Sequence, residues 1–432
     1  MFDLTDTHDS ATADHSNASV ACSRVRALPE FVSRRLLAYQ ERKRANWGGR
    51  HIMQGRTATA EDLVFTSNDY LALAQHPAIV EAEVQALRTH GKGAMMSAIF
   101  LQDGGGTQRA LEQRMADDLG ADCGVLAQSG WCGNVGLIQS IADERTPVYV
   151  DHLGHASLWE GVKSAGAKGI PVHHNDTDHL LRQVLRYGPG VIAVDAVYST
   201  TGALCPIADY LAIAEAHDCV LLVDESHSLG THGPNGEGLV AALGLSRRVD
   251  FVTASLAKAY VGRAGLITCR EPFTEFFASE SMPAIFSSTL LPHDLAGIRA
   301  AHEVIRDETW RRTRLHAISA HVRNELLEGG FPLGNGSEQI LGMEVGIEAD
   351  TMVVRDALEA SGIIGSIFCA PATPAKRALI RLSLNAGLAD TEVERLVKTL
   401  LRIRSRIRLD EWSSTRRLVR STRTPGLREL AA

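Results

Sequence analysis

The 432-residue chain predicts an α/β fold, with a large domain on a mostly parallel sheet and a smaller α+β domain at the C-terminal end. Two observations carry this. First, six short apolar runs lie between about residues 120 and 270: CGVLAQ (123–128), PVYVD (147–151), VIAVDAV (191–197), VLLVDE (220–225), FVTASL (251–256) and AGLITC (264–269). They alternate with helical patterns. Between two of them Ile207, Tyr210, Leu211 and Ala214 fall at i, i+3, i+4 and i+7, one face of a helix. Continuous apolar strands separated by helices belong to a parallel sheet covered on both sides. Second, the pattern changes after about residue 295. Residues 301–330 read as one or two long helices, 340–347 and 378–384 as strands, and 391–407 as a last amphipathic helix.

The elements divide the chain in order. Residues 1–22 carry four aspartates and no Lys or Arg, and read as a disordered polar lead. A helical segment is expected over 23–60, the large domain over 61–295, the small domain over 296–410 and a basic tail over 411–432. Arg416, Arg417, Arg420, Arg423 and Arg428 make the tail basic, and a solvated or frayed end is expected there. The net charge of −7 disfavours nucleic acid as a partner. No apolar run reaches the length of a membrane span. The seven cysteines, an odd number with no C-x-x-C, fit buried free thiols in a reduced cytoplasm.

The chemistry gathers at strand ends. Asp224 closes one apolar run, and Lys258 follows another 34 residues later. In a parallel sheet both point into the crevice where α/β proteins bind ligands. A lysine that can form a Schiff base and a carboxylate that keeps a pyridine nitrogen protonated are what pyridoxal phosphate requires. The competing reading makes Asp224 a helix cap and Lys258 a solvated cation. Ser129-Gly130-Trp131-Cys132-Gly133-Asn134 follows a strand and opens a helix, a natural phosphate seat. Ala127 stands where the first glycine of a nucleophile elbow belongs, which disfavours a serine hydrolase. GGGT (104–107) lacks the Gly-Lys-Ser/Thr of a Walker loop. His155 could stack on a flat ring, His227 could donate to a ring oxygen, and Ser255 could share the phosphate. His173, His174, Asp176, Asp178 and His179 have no zinc-site spacing and read as a polar loop.

In order along the chain stand SNDYLAL (67–73), LE (111–112), SGWCGN (129–134), DHLGHASLWEG (151–161), HND (174–176), YSTTG (198–202), DESHSLGTHGPNGEG (224–238), SLAKA (255–259) and FSSTLLP (286–292). Together they resemble the α-oxoamine synthase family, within the fold-type I pyridoxal phosphate enzymes, over roughly residues 60–400. The resemblance implies that Lys258 carries the cofactor and shuttles the α-proton, that Asp224 pairs with the pyridinium nitrogen, and that His155 stacks on the ring. It implies that His227 and Ser199 contact the ring hydroxyl. Ser129, Gly130, Trp131 and Ser255 would seat the phosphate, with Asn134 beside it. Ser288 would reach the phosphate of a neighbouring subunit in a homodimer with shared active sites, and Arg381 would bind the amino-acid carboxylate. A metal is not implied.

The departures narrow the choice. Asp-Glu-Ser-His stands for Asp-Glu-Ala-His, Met96-Ser97-Ala98 for Gly-Ser-Arg, and Ser199-Thr200-Thr201-Gly202 for Ser-Met-Asp-Gly. AYVGRAG after the lysine lacks the usual glycine run. SNDYLAL, MSAIFLQ and DESHSLG resemble most closely the α-hydroxyketone quorum-sensing autoinducer synthases. These join a fatty acyl-CoA to a small amino acid in a decarboxylative Claisen-type condensation, giving an α-aminoketone. Enzymes that make 8-amino-7-oxononanoate, 2-amino-3-ketobutyrate, 5-aminolevulinate or sphingoid bases are alternatives within the family. So is a binding protein of the same fold without cofactor, though Lys258, Asp224 and His155 together argue against it. An NAD-dependent dehydrogenase would need G-x-G-x-x-G straight after a strand, and no run has it.

Overall fold

The computed structural model describes residues 27–100, 106–270, 273–334, 336 and 339–417. The expected polar lead over 1–22, the tail beyond 417 and Gly104–Gly105 lie outside them. The described residues fall in two compact units, divided between Arg50 and His51. In the first, the described structure is the helix Glu30–Trp47, which ends on Gly48 in the left-handed conformation.

The second unit holds the strands. They are β1 (Leu63–Val64), β2 (Cys123–Ala127), β3 (Pro147–Asp151), β4 (Lys168–Val172), β5 (Val191–Asp195), β6 (Val220–Asp224), β7 (Phe251–Ser255), β8 (Gly265–Cys269), β9 (Ile340–Gly346), β10 (Ile363–Ile364), β11 (Ser366–Phe368) and β12 (Ala378–Ser383). The order in the large sheet is β2-β8-β7-β6-β5-β3-β4. Only β8 runs antiparallel to its neighbours. Alternate residues feed two cores, one on each face. Val148, Val150, Val191, Ala193 and Leu222 pack on one side. Tyr149, Ile192, Val194, Leu221 and Val223 pack on the other, with Ile207, Tyr210, Leu211 and Ala214 of the helix Ile207–Ala216. This double burial is why the strands read as unbroken apolar runs. All six runs are strands.

The β4 strand has no counterpart in that pattern. It is an edge strand, and Lys168, Gly169 and Pro171 are exposed. Proline and charge belong at an edge, where the apolar signal is diluted. The segment 301–330 falls on two helices, Pro292–Asp307 and Trp310–Glu328. The C-terminal strands form a small antiparallel sheet, β11-β12-β9, while β1 pairs in parallel with β10. Phe65 accepts from Ser383 N and Tyr70 from Ala386 N, which ties SNDYLAL to the end of β12.

The first part of the expected frayed tail is docked instead. Trp412 is 2% exposed and its indole N–H donates to Ile407 O. Ser413 donates to the Glu344 carboxylate on β9 and Ser414 to the Glu344 backbone carbonyl, and Arg417 pairs with the carboxylate. An indole of that size is worth more buried than solvated, and it carries the chain with it. No described helix is long and apolar enough to cross a membrane.

Candidate active site

Parallel β2, β3, β5, β6 and β7 end on one edge of the large sheet, and each is followed within a few residues by a polar side chain. Together with β12 and its neighbours these residues line one cavity of about 800 Å³, within the range of small-molecule sites. Ser129, Gly130, Trp131, Asn134, His155, Ser199, Asp224, His227, Ser255, Lys258 and Arg381 all line it. Ser288, on the stretch after the helix Met282–Phe286, is exposed and is not among the lining residues.

Asp224 is buried at the end of β6, and both its oxygens are held. Asn134 Nδ2 donates to Oδ2 at 2.6 Å, and Ser226 N donates to Oδ1 at 2.9 Å. Asn134 also donates to Ser157 Oγ (2.8 Å) and accepts from Thr253 Oγ1 (2.6 Å). Its amide is therefore spent on bracing the carboxylate, not on the phosphate seat beside which the resemblance sets it. Ser157 Oγ lies 2.7 Å from His155 Nδ1, and His155 N donates to Asp195 Oδ2 at 2.9 Å. One network thus runs from β7 through β6 to the ring of His155. That ring opens to the cavity, yet the surrounding walls desolvate it and hold its pKa down. The positive charge of Lys258 acts in the same direction, and Asp224 opposes it. Asp195, next to Asp224 in register, is pushed well above the usual carboxylate range by burial and by that neighbouring charge. Trp131 meets His155 edge-on, with ring centroids 6.0 Å apart.

The helix Gly130–Ile141 begins at Ser129, whose Oγ accepts from Cys132 N at 3.1 Å. The first amides of a helix carry partial positive charge and suit an anion. A Cβ on Gly130 would stand 2.6 Å from Ser255 Cβ, and one on Gly265 would stand 2.4 Å from Ser129 O. Only glycine lets the helix start press this closely on the end of β7. Ser255 N donates to Ser226 Oγ at 2.7 Å.

Lys258 sits just past β7, and its Nζ has no hydrogen-bond or ion-pair partner among the described residues. Burial lowers its pKa, Asp224 raises it and Arg381 lowers it again. His227 is buried and pushed well below its ordinary value by desolvation and by the charges of Lys258 and Arg381. Its Nδ1 lies 2.6 Å from Tyr70 Oη. Where Tyr70 donates to Asn68 Oδ1 (3.3 Å), His227 Nδ1–H donates to Tyr70 and its Nε2 accepts. Where Tyr70 donates to His227, Nε2–H is the donor. Asn68 and Tyr70 were not singled out from the sequence, although SNDYLAL contains them. An apolar neighbourhood hides a tyrosine whose hydroxyl does the work.

Arg381 lies within β12, 4% exposed. It donates to Ser199 O (2.7 Å) and Asn68 Oδ1 (2.8 Å) and stacks over Phe368. Its Nε has no partner among the described residues, and no carboxylate pairs with it. A buried cation with spare N–H groups fits a carboxylate ligand.

The expected polar loop is accounted for by structure. Asp176 caps the helix Thr177–Tyr187 through His179 N, His173 stacks on His179, and His174 meets Asp151 at 3.1 Å.

The residues present fit pyridoxal 5'-phosphate: a braced buried carboxylate, a partnerless lysine, a histidine wall and a helix start made of small residues. With the seven-stranded sheet, they define a fold-type I pyridoxal phosphate enzyme. The model of the family described as aminotransferase class I and II matches residues 60–400. The chain is 42% identical to CAI-1 autoinducer synthase of Vibrio campbellii, over 87% of this chain and 95% of that one. It is 30% identical to 8-amino-7-oxononanoate synthase of Chromohalobacter salexigens, over 85% and 96%. Its fold is similar to that of a serine palmitoyltransferase from S. paucimobilis, solved with bound pyridoxal phosphate and myriocin, at a TM-score of 0.80 and 22% identity, over 88% of this chain and 100% of that one. The chain belongs to the class I and II aminotransferase family and, within it, to the α-oxoamine synthases.

Proposed function

We propose that this enzyme condenses a fatty acyl-CoA with a small α-amino acid, with loss of carbon dioxide, to give an α-aminoketone precursor of a quorum-sensing autoinducer. The observation that carries the amino-acid half is Arg381, a buried guanidinium with spare donors that lines the same cavity as Lys258 and Asp224. The 42% identity to an autoinducer synthase supports the acyl half.

Pyridoxal phosphate, when bound, supplies an electron sink for charge developing at the amino acid's α-carbon. The chain's residues do the rest. Asp224 would hold a proton on the pyridine nitrogen, and Asn134 and Ser226 N keep its carboxylate from turning away. Lys258 anchors the cofactor and moves the α-proton with Nζ. Its lowered pKa suits a base near neutrality. Arg381 grips the amino-acid carboxylate and so orients the α-C–H toward Lys258. His155 would cover one face of the cofactor ring, while His227 and Ser199 would meet its hydroxyl. Ser129, Gly130, Trp131 and Ser255, which line the cavity, would seat the phosphate. The amino acid's α-carbon would attack the thioester carbonyl, coenzyme A would leave as its thiolate, the carboxylate would leave as carbon dioxide, and a proton would return to the α-carbon.

A homodimer that shares its sites is part of this reading. Met95, Met96, Ile99, Phe100, Met282 and Phe286 are all more than 40% exposed near Ser288 in sequence or fold. Apolar exposure on that scale supports an interface, from which Ser288 would reach the other subunit's phosphate. The cytoplasm, where acyl-CoA is made, is the expected location.

The test is a visible spectrum of the purified protein, followed by coenzyme A release across acyl chain lengths. The reading expects a band lost on borohydride reduction and absent from Lys258→Ala, and turnover with medium or long acyl chains. Turnover confined to pimeloyl or acetyl thioesters would overturn the autoinducer assignment. A colourless protein that cannot be reconstituted would overturn the mechanism.

A further inference from the structure

The turn that presents Lys258 is tight. Leu256 N donates to Ala264 O, Gly262 N to Leu256 O, and Val261 N to Lys258 O, at 2.9–3.0 Å. Val261 has φ +48°. A β-branched residue in the left-handed region is strained, and persists only where the surroundings enforce it. The sequence departs from its family here, with Val261 in a loop that lacks the usual glycine run.

The residue before Val261 is anchored. Tyr260 is 2% exposed, and its Oη lies 3.0 Å from His302 Nδ1. His302 Nε2 lies 2.8 Å from Asp118 Oδ2. His302 belongs to the helix Pro292–Asp307, and Asp118 to the helix Gly106–Leu119. Since a carboxylate can only accept, Nε2 carries the hydrogen. Burial keeps His302 neutral against the pull of Asp118, so Nδ1 accepts and Tyr260 O–H donates. The charge on Asp118 is met by Arg114 Nε at 2.7 Å and by Arg306. Each hydrogen in the chain thereby has an acceptor, and the loop is tied to two helices. Arg312 and Glu237 are the further charges that act on Tyr260.

We propose that Tyr260, His302 and Asp118 are positioning residues that hold the strained Val261 turn and so set the reach of Lys258 Nζ into the cavity. They touch neither substrate nor cofactor. The inference rests on the proposed role of Lys258, but the hold on the turn can be measured without it.

The experiment compares Tyr260→Phe, Val261→Gly and the double variant with the wild type. Hydrogen exchange over residues 256–264 is followed in protein stripped of pyridoxal phosphate, and cofactor release, kcat and KM in the reconstituted enzyme. Tyr260→Phe keeps the ring and loses one buried hydrogen bond. Exchange in the loop and cofactor release are each expected to rise about tenfold. kcat is expected to fall by a similar factor, with the amino-acid KM within about twofold, because Arg381 is untouched. Glycine adopts positive φ freely, so in the Val261→Gly background the Tyr260→Phe effect should shrink to about threefold or less. Loop exchange unchanged within about twofold overturns the proposal, whether or not cofactor binds. Equal effects in both backgrounds overturn it too, because the chain would then not be opposing the turn. Absence of any visible band would sink the reading of Lys258 instead, and the exchange result alone would decide the chain.

Discussion

The two walls of the cavity are built on opposite terms. On the large-sheet side, Lys258 apart, hydrogen-bonding capacity is used internally. Asn134 makes three bonds, Asp224 accepts at both oxygens, and His155 is tied at its ring and its backbone. On the small-sheet side Arg381 keeps spare donors and has no carboxylate among the described residues. A saturated network has little left to rearrange and suits a resident group that must stay in one orientation. An unsatisfied buried cation is costly to keep and suits a ligand that comes and goes with its own negative charge. The difference teaches which wall faces the cofactor and which faces the substrate.

The largest effects should come from the large-sheet wall, at Lys258 and at the saturated network around Asp224. Lys258→Ala is expected to abolish turnover, a loss of at least about 10³-fold, while the far-ultraviolet dichroism stays that of the wild type. Asp224→Ala should cost a similar factor. It should also weaken cofactor retention, since Asn134 Nδ2 would lose its 2.6 Å partner. Wild-type turnover in either variant would remove the assignment of that wall.

Arg381 sharpens the contrast by separating binding from retention. Charged hydrogen bonds are worth about 1.5–3 kcal/mol, so Arg381→Ala should lower kcat/KM for the amino acid by about 10- to 150-fold. Arg381→Lys should not restore it, because a point charge cannot reproduce the fork that also meets Ser199 O and Asn68. Cofactor content should stay full in both. Loss of cofactor instead of KM would place Arg381 on the wrong wall.

A third prediction concerns pH and the buried ring of His227. Its folded pKa lies well below the unfolded value. Below about pH 6.5 the unfolded chain therefore binds a proton that the native chain does not. Stability should fall as pH drops through that value, by up to about 1.4 kcal/mol per pH unit for this one group. Thermal melts from pH 7.5 to 5.5 would follow the fall, and a His227→Asn variant should flatten it. A slope unchanged in that variant would mean His227 titrates normally.

The same contrast explains what could be read from the chain alone. Asp224, Lys258, Ser129 and His155 follow apolar runs directly, so strand pattern and chemistry coincide. Arg381 stands inside ALIRLSL, where local pattern calls for a strand and gives a cation no role. It was found by resemblance, not by periodicity. Asn68, Tyr70, Ser157, Thr253 and Asp195 were missed because their meaning lies in partners 23 to 313 residues away. β4 was missed because an exposed edge strand lacks the apolar signature.

The smallest effect tests a departure visible in the sequence. Ser226 stands where the family usually has alanine, and its Oγ accepts from Ser255 N at 2.7 Å. That bond joins the segment after β6 to the end of β7, between Asp224 and the residue expected to share the phosphate. Ser226→Ala would leave the Ser255 amide unsatisfied, for about 1 kcal/mol and a drop of roughly 1 °C in Tm for a chain of this size. The more telling quantity is cofactor affinity. If Ser226 belongs to the saturated wall, Ser255 should loosen and pyridoxal phosphate should bind about two- to fivefold more weakly, with the amino-acid KM unmoved. A variant that loses the same stability but keeps its cofactor affinity would show that this bond braces the sheet edge only. The saturated wall would then end at Asp224.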